Sequence, residues 1–575
     1  MSWKDVYQQW KNFDALEESV RVDLEKIEGN AERLEDAFFA PLEFGTAGMR
    51  GIIGAGINRM NVYTIRQATE GLALFIDSKS HEAKQRGVAI AYDCRHKSPE
   101  FAMAAAETLA AHGIKSFVFE SLRPTPELSF TVRELGCIAG IMITASHNPA
   151  AYNGFKIYGE DGGQMPPQSA DAVTNYVRSV TNPLDINILD QKSAKDYITI
   201  IGEDMDRRYL KMMESVTINH ELVERVGKDL TLIFTPLHGT GKMLGERALK
   251  QAGFDSVELV PEQAIADPDF STVASPNPEE HSAFEYAIRL GKEKNADVLI
   301  ATDPDADRLG AAVRMPNGEY EVLTGNQLGS LMLHYILVAK KNANQLSNQA
   351  VALKSIVSSE LATTICKNFN VEMVNVLTGF KFIAEKIKEY EQNGTKEFIF
   401  GFEESYGYLI KPFARDKDAI QALVLLAEMA AYYKDQQKTL YDGLRDLYQE
   451  FGYFIEKTIS ITMDGIEGLD KIKNLMATVR AKKPTTFGSY LVDYVEDYAT
   501  GESTDADGEV KPLGQPHANV LKFILANGCW IAIRPSGTEP KIKFYIGATA
   551  KTNEEAEDIF ENVLASVNTL IAEQN

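Results

Sequence analysis

Short apolar runs alternate with helical patterns along most of this chain, and that alternation limits the folds open to it. Residues 87–93 (GVAIAYD) read as a strand. Ser98-Pro99 follows, a serine N-cap with proline at the first helical position, and the helical stretch it opens ends at Gly113, a C-cap residue. Residues 114–120 (IKSFVFE) read as the next strand. Strand–helix–strand order of this kind argues for parallel sheets covered by helices. The pattern recurs. Residues 229–235 (DLTLIFT) precede a helical stretch ending near Gly253, and 296–302 (ADVLIAT) follow another. Residues 349–357 (QAVALKSIV) and 396–402 (KEFIFGF) flank a third. The expectation is three related α/β domains with mixed, mainly parallel sheets, although no close sequence repeat joins them. Beyond about residue 450 the texture changes, and GCWIAIRPSGTEPKIKFYIGA reads as strand, turn, strand before a final amphipathic helix. That region is an expected α+β domain. The Gly/Asp-rich residues 497–514 read as a surface loop. The expected domain boundaries are 1–209, 210–324, 325–450 and 451–575.

Length agrees with this division, since 575 residues at roughly 150 per domain give about four. The net charge of −23, from 59 basic and 82 acidic side chains, argues against nucleic-acid binding, which needs a basic surface. An anionic substrate would need a local island of Lys and Arg. Four scattered cysteines with no CxxC argue against a disulfide framework or a zinc site and suit a reducing compartment. The N-terminal MSWKDVYQQWKNF lacks the pattern of a signal peptide, no apolar run reaches 18 residues, and the C-terminal IAEQN carries no lipidation signal. A soluble cytoplasmic protein is expected, with no membrane contact and no feature pointing to a protein partner.

Four polar strings interrupt the apolar runs. In IAGIMITASHNPAAYNGFK, a buried-looking strand ends by presenting Ser146 beside His147 and an Asn-Pro turn. In Asp303-Pro-Asp-Ala-Asp-Arg308, three carboxylates at alternate positions follow VLIAT. Uncompensated they would repel, so a hard cation such as Mg²⁺ is the natural partner; the alternative is a solvated acidic turn. An EF-hand is excluded, because Arg308 and Arg314 occupy the positions that need Gly and Glu. In Phe400-Gly-Phe-Glu-Glu-Ser-Tyr-Gly407, carboxylates and a hydroxyl suit the vicinal hydroxyls of a sugar, or an exposed strand end. In Arg534-Pro-Ser-Gly-Thr-Glu-Pro-Lys541, an Arg, two hydroxyls and a Gly in one turn suit a phosphate dianion, the alternative being an ordinary β-turn. His238-Gly-Thr-Gly-Lys242 is not a P-loop, since Pro236 and Met243 break the pattern, and Gly45–Gly51 does not match a dinucleotide fingerprint. Ser146, Asp303 and Glu403 each follow the C-terminal end of an expected strand, where parallel α/β sheets bind ligands. Arg50, Lys156, Arg308, Lys381, Lys417, Arg534 and Lys541 would supply the positive island.

TASHNP, DPDADR, GFEES and RPSGTEPK, in this order and at these separations, resemble the α-D-phosphohexomutase superfamily over essentially the whole chain. Leu377-Thr-Gly-Phe-Lys381 and the GFEES form resemble its long phosphoglucomutase branch, which also includes phosphopentomutases. The resemblance implies a four-domain, heart-shaped fold around one cleft. Its first domain carries a phosphoserine, its second a metal, its third the sugar-recognition loop and its fourth the phosphate clamp. It implies phosphoserine at Ser146, and Mg²⁺ on Asp303, Asp305, Asp307 and an oxygen of that phosphoserine. Arg50, His147 and Lys156 match positions around the phosphoserine, and Lys417 matches a lysine proposed as acid/base. Arg308, Thr378, Gly379, Lys381, Glu403, Ser405, Arg534, Ser536, Gly537, Thr538 and Lys541 match substrate-binding positions. Phe402 and Ala47 depart from common family residues at places that bear on substrate choice.

The reaction implied is interconversion of glucose 1-phosphate and glucose 6-phosphate through two phosphoryl transfers and a glucose 1,6-bisphosphate intermediate. Alternatives are a pentose phosphate substrate, a mannose phosphate side activity, or an inactive sugar-phosphate sensor. Lys417 or Lys156 would take the sugar hydroxyl proton, which requires a lysine pKa brought down from about 10.4. The bisphosphate would turn end for end, so the RPSGT loop must accept either phosphate, and a C-terminal domain that opens and closes would retain it.

Overall fold

The computed structural model describes residues 2–44, 48–463, 465–536 and 541–572. The chain divides into two compact units, Met1–Gly325 with Phe380–Leu440, and Asn326–Gly379 with Tyr441–Asn575.

The first unit opens with three short helices for which the sequence reading gave no element: α1 (Trp3–Lys11), α2 (Glu18–Ile27) and α3 (Ala31–Phe38). They close over a small apolar core of their own, in which Trp10 meets Phe38 and Tyr63 edge-on at 5.7 and 5.3 Å. Next come β1 (Met49–Ile52), α4 (Val62–Asp77), α5 (His81–Arg86), β2 (Val88–Tyr92), α6 (Ser98–Ala111), β3 (Ser116–Phe119), α7 (Thr125–Glu134), β4 (Ala139–Ile143), β5 (Tyr152–Gly159) and β6 (Ile198–Ile201). The strands form one sheet in the order β1-β5-β4-β2-β3-β6. β2 runs parallel to β3 and β4, and β3 to β6, while β5 lies antiparallel to β4 and β1. VAIAY and AGIMI are buried at every position, as strands covered on both faces must be. Leu72, Ile76, Phe101 and Leu109 from α4 and α6 fill the core against Ile90 and Ile141.

The start of α6 differs from its expected form. Lys97 is the N-cap, at φ 66°, and Ser98 is already helical. The Ser98 hydroxyl is drawn off to Asp93 at 2.9 Å, so it does not cap. Gly113 lies one residue past the C-cap His112, at φ 68°, where a residue without Cβ is favoured.

A second sheet in the same unit contains β7 (Leu232–Thr235), β8 (Val257–Leu259), β9 (Val298–Thr302), β10 (Leu309–Arg314) and β11 (Tyr320–Val322), in the order β11-β10-β9-β7-β8. β7 is parallel to β8 and β9, and β10 antiparallel to β9. Segment 380–440 adds an antiparallel hairpin of Glu397–Glu403 and Gly407–Leu409, and a buried helix, Ala419–Asp435, capped by the Asp418 carboxylate.

In the second unit, Ala350–Ser355 pairs in parallel with Glu372–Val376. Tyr453–Thr462 pairs antiparallel with Lys541–Ala550, which also borders Trp530–Pro535. The helix Asn553–Ala572 covers a core of Phe523, Ile531, Phe544 and Phe560. Strand, turn, strand and final helix are as expected. The 497–514 loop is corrected, because Glu502–Asp505 and Val510–Pro512 form an antiparallel pair there. Their side chains are half-buried or exposed, so no apolar alternation marks them in the sequence. The architecture is the expected mixed α/β one with a C-terminal α+β region. Among the described residues, no helix is long and apolar enough to cross a membrane.

Candidate active site

β4 is followed by Thr144 and Ala145, both fully buried, and then by Ser146, 2% exposed. Ser146 stands at φ 51°, in the left-handed region that a residue with Cβ enters only at a cost of roughly 1–2 kcal/mol. Its N–H donates to Thr144 Oγ1 at 2.9 Å. Its Oγ donates to Asp303 Oδ2 at 2.8 Å and lies 3.3 Å from His147 Nδ1. Burial, reinforced by the charges of Arg308 and Arg50, pushes the His147 pKa well below the ordinary value.

β9 delivers Asp303, and the chain then turns through Ala306 at φ 51°. Asp303 Oδ1 accepts from the N–H groups of Asp307 and Arg308 at 3.1 and 3.0 Å, which winds the loop about that carboxylate. Asp305 Oδ2 accepts from Thr125 Oγ1 at 2.8 Å and from Lys156 Nζ at 2.9 Å. Carboxylate oxygens of Asp303, Asp305 and Asp307 lie within 4.8 Å of one another. Asp305 Oδ1 and Asp307 Oδ1 are buried with no hydrogen-bond donor. A buried carboxylate oxygen left without a partner is costly, and a hard cation would satisfy both. Burial and the charges of Asp305 and Asp307 raise the Asp303 pKa well above the carboxylate range. At Asp305 burial pushes upward, and Lys156 with its hydrogen bonds overcomes it and brings the pKa down. Such splitting marks like charges forced into one place.

Cations ring this cluster. Lys156 lies on β5 with Nζ 2.9 Å from Asp305 and 3.8 Å from Asp307. Lys417 Nζ is 3.2 Å from both Asp307 and Asp416. Burial alone would lower the Lys417 pKa, but Asp307 and Asp416 raise it, so the expected lowering is not found at this lysine. Arg308 donates to Glu279 at 2.6 Å, and Arg50 to Asn148 Oδ1 at 3.1 Å.

The hairpin at 403–407 is tied to the aspartate loop, since Leu309 N–H donates to Tyr406 O at 3.0 Å and Arg308 bridges to Gly407. Tyr406 is at φ 65°. Glu403 is buried on this hairpin, and against the lowering effect of burial its charge adds to the larger upward pull of Glu279, Asp307 and Asp303 on Arg308 and of Asp307 and Asp416 on Lys417. Ser405 follows in the turn, and Lys381 lies in the first turn of the helix Phe380–Asn393. Phe402 is fully buried and stacks on Phe400 at 5.7 Å, which makes it a core residue. Thr378, Gly379, Arg534, Ser536 and Lys541 belong to the second unit. There Ser536 N–H donates to Lys541 O at 2.7 Å, and Gly379 is at φ 118°. Gly537, Thr538 and Ala47 lie outside the described residues.

Asp93, Arg95, Thr125 and Asp416, which belong to none of the four polar strings, are all buried within this network. A signal was present for the first two, because Asp93-Cys-Arg95 directly follows the apolar run of β2.

A buried hydroxyl bonded into a carboxylate cluster and ringed by lysines and arginines is built to handle phosphoryl groups. Comparison with known proteins agrees. Phosphoglucomutase/phosphomannomutase α/β/α domain I matches residues 41–183, domain II 207–316, domain III 324–451 and the C-terminal domain 495–566. The chain is 40% identical to the phosphoglucomutase of Staphylococcus epidermidis over 564 residues, covering 97% of this chain and 98% of that one. It is 39% identical to the phosphoglucomutase of Staphylococcus aureus strain MSSA476 over 538 residues, 93% of each. A similar fold occurs in parafusin, a phosphoglucomutase from Paramecium, with a TM-score of 0.65 at 18% identity, over 93% of this chain and 95% of that one. The chain belongs to the α-D-phosphohexomutase superfamily, and so it is an intramolecular phosphotransferase.

Proposed function

We propose that the chain interconverts glucose 1-phosphate and glucose 6-phosphate, the phosphoglucomutase reaction, with Ser146 as phosphoryl carrier. The bond from Ser146 Oγ to Asp303 carries this reading, because it joins the hydroxyl to a buried three-carboxylate cluster in which two oxygens lack a donor and which is fit for a cation. Asp303, Asp305, Asp307 and a phosphoryl oxygen on Ser146 would hold Mg²⁺, which when bound draws charge from the transferring group.

The rest of the chemistry is assigned to the chain's own residues. A hydroxyl of the bound sugar phosphate attacks the phosphorus carried on Ser146. A new P–O bond forms as the P–Oγ bond breaks, the sugar hydroxyl gives up its proton, and Ser146 Oγ takes one up. Lys156 and Lys417, both against Asp307, are the candidates for moving these protons. The product is glucose 1,6-bisphosphate. It turns end for end and returns its other phosphoryl group to Ser146. Glu403 and Ser405, with Thr378, Gly379 and Lys381, are assigned to the sugar. Arg534, Ser536, Gly537, Thr538 and Lys541 are assigned to the phosphate that does not react, with Arg308, Arg50 and His147 around the carrier. The four-domain division at 209, 324 and 450 and a cytoplasmic location belong to the same proposal.

A coupled assay of glucose 6-phosphate formed from glucose 1-phosphate, with Mg²⁺ and trace glucose 1,6-bisphosphate, tests it. Turnover of ribose 1-phosphate in preference to glucose 1-phosphate would move the substrate to the pentose class.

A further inference from the structure

Ser146 is held by more than its own turn. Both of its main-chain polar groups are fixed, and both lines of contact end on one buried carboxylate, Asp93. On one side, Ser146 N–H donates to Thr144 Oγ1, which donates to Asp93 Oδ2 at 2.7 Å. On the other, Asp93 Oδ2 lies 3.2 Å from Arg95 Nε, and Arg95 donates to Ser146 O at 2.6 Å. The guanidinium does more. It also donates to Pro149 O at 2.8 Å, to Tyr152 O at 3.0 Å and to Asn148 O. Four carbonyl oxygens of the 146–152 turn thus converge on a side chain that is 1% exposed. The Phe270 ring covers the guanidinium at 4.9 Å, from the segment after β8.

The need for such a device follows from the backbone. Serine has no preference for the left-handed region, and a conformation of that kind persists only when its surroundings over-determine it. Only a planar fork with five donors can hold several carbonyls at once in fixed directions; a lysine is a compact point charge with three donors.

We propose that Arg95, braced by Asp93 and Phe270, is a positioning residue that fixes the aim of Ser146 for phosphoryl transfer. The inference rests on the reading of Ser146 as the phosphoryl carrier. Among the described residues, Arg95 bonds to none of those assigned to the sugar or to the distal phosphate, so its loss is expected to lower kcat and leave KM alone. A misplacement of about 1 Å costs on the order of 100-fold.

The test compares the full-length parent with R95K, R95M and F270L. It measures kcat and KM for glucose 1-phosphate, folded fraction by circular dichroism and thermal unfolding, and the ³¹P resonance of the phosphorylated protein. The expected result is folded R95K and R95M with KM within about threefold of the parent, kcat lower by about 100-fold, and a displaced ³¹P line. F270L should fall between them and the parent. Folded variants with parental kcat and ³¹P shift would overturn the proposal, as would a loss of kcat no greater than the loss of folded protein. Should both Arg95 variants fail to fold, F270L decides: reduced kcat at constant KM supports the role, and parental kcat overturns it. The parent is measured first. If it carries no phosphate on Ser146, the functional reading falls and takes this inference with it, whereas an active, phosphorylated parent with unaffected variants sinks the inference alone.

Discussion

Ser146 Oγ donates to Asp303 Oδ2 at 2.8 Å across a sequence separation of 157 residues. The two come from the ends of strands in different sheets, β4 and β9, within one compact unit. One nucleophile-sized hydroxyl and one crowded acid cluster therefore share a single point, and most of the testable consequences start there.

Replacing Ser146 with Ala removes the proposed phosphoryl carrier and one hydrogen bond. Turnover should fall by more than about 10⁴-fold, as when a nucleophile is deleted. Stability should change by only about 1 kcal/mol, the net worth of an ordinary hydrogen bond. Mass spectrometry should find phosphate on Ser146 in the parent and none in the variant, and denaturant unfolding checks the fold.

Chelation should abolish turnover, and added Mg²⁺ should restore it. If the folded cluster takes Mg²⁺ as proposed and the unfolded chain does not, Mg²⁺ at 100 times its Kd should stabilise the protein by about 2.7 kcal/mol. Asp305→Asn should remove most of that gain while leaving the chelated protein folded. A thermal-shift titration of both proteins against Mg²⁺ reads this directly.

Gly407 has room for hydrogen only. A Cβ there would sit 2.1 Å from Lys417 Cδ and 2.6 Å from Cγ. The obstruction is a flexible side chain, so Gly407→Ala should fold and displace Lys417 from Asp307. If Lys417 moves the proton, kcat should drop by about 100-fold or more, the usual contribution of a general acid or base. Steady-state kinetics of G407A and K156M decide between the two lysines, since parental turnover in G407A would assign the proton to Lys156.

His112 should impose a pH dependence on stability. Its Nε2 is 2.9 Å from Glu70 and its Nδ1 2.8 Å from Asp77, which brackets the end of α6 against α4. The Glu70 bond, followed by that of Asp77, raises its pKa above the ordinary 6.5. The folded protein then holds this proton more tightly than the unfolded chain does. The stabilisation is complete below about pH 6.5 and is lost as pH rises through the folded value. Melting curves from about pH 5.5 to about pH 9 should show this decline in the parent, and His112→Gln should flatten it.

The parts of the site legible from sequence are those where a buried apolar run breaks into reactive groups. MITASHNP and VLIATDPDADR announce themselves because the strand and the chemistry adjoin. Asp93 and Arg95 adjoin the apolar run of β2, but the sequence does not show what they hold, because Arg95, like Thr125, acts on a segment remote in sequence. Arg95 acts on carbonyls near residue 150, and Thr125 on Asp305. A polar residue in an unremarkable turn shows such a role only once the tertiary partner is known. The hairpin within 497–514 was illegible for another reason: its short strands, half-buried or exposed, are polar throughout much of their length and lack apolar alternation. Phe402 looked like a determinant of substrate choice, and its stacking on Phe400 in the core shows that identity alone does not tell which face of a strand a residue takes.

Ser146, Ala306 and Tyr406 all hold positive φ, on three loops far apart in sequence, and none is glycine. No local preference of these residues would keep them so. Excised peptides spanning TASHNP, DPDADR or GFEESYG would relax to ordinary turns, and a folding intermediate with only one sheet docked would do the same. Competence in this protein is thus an all-or-none property of the assembled unit, extinguished by partial loosening well before the helices melt.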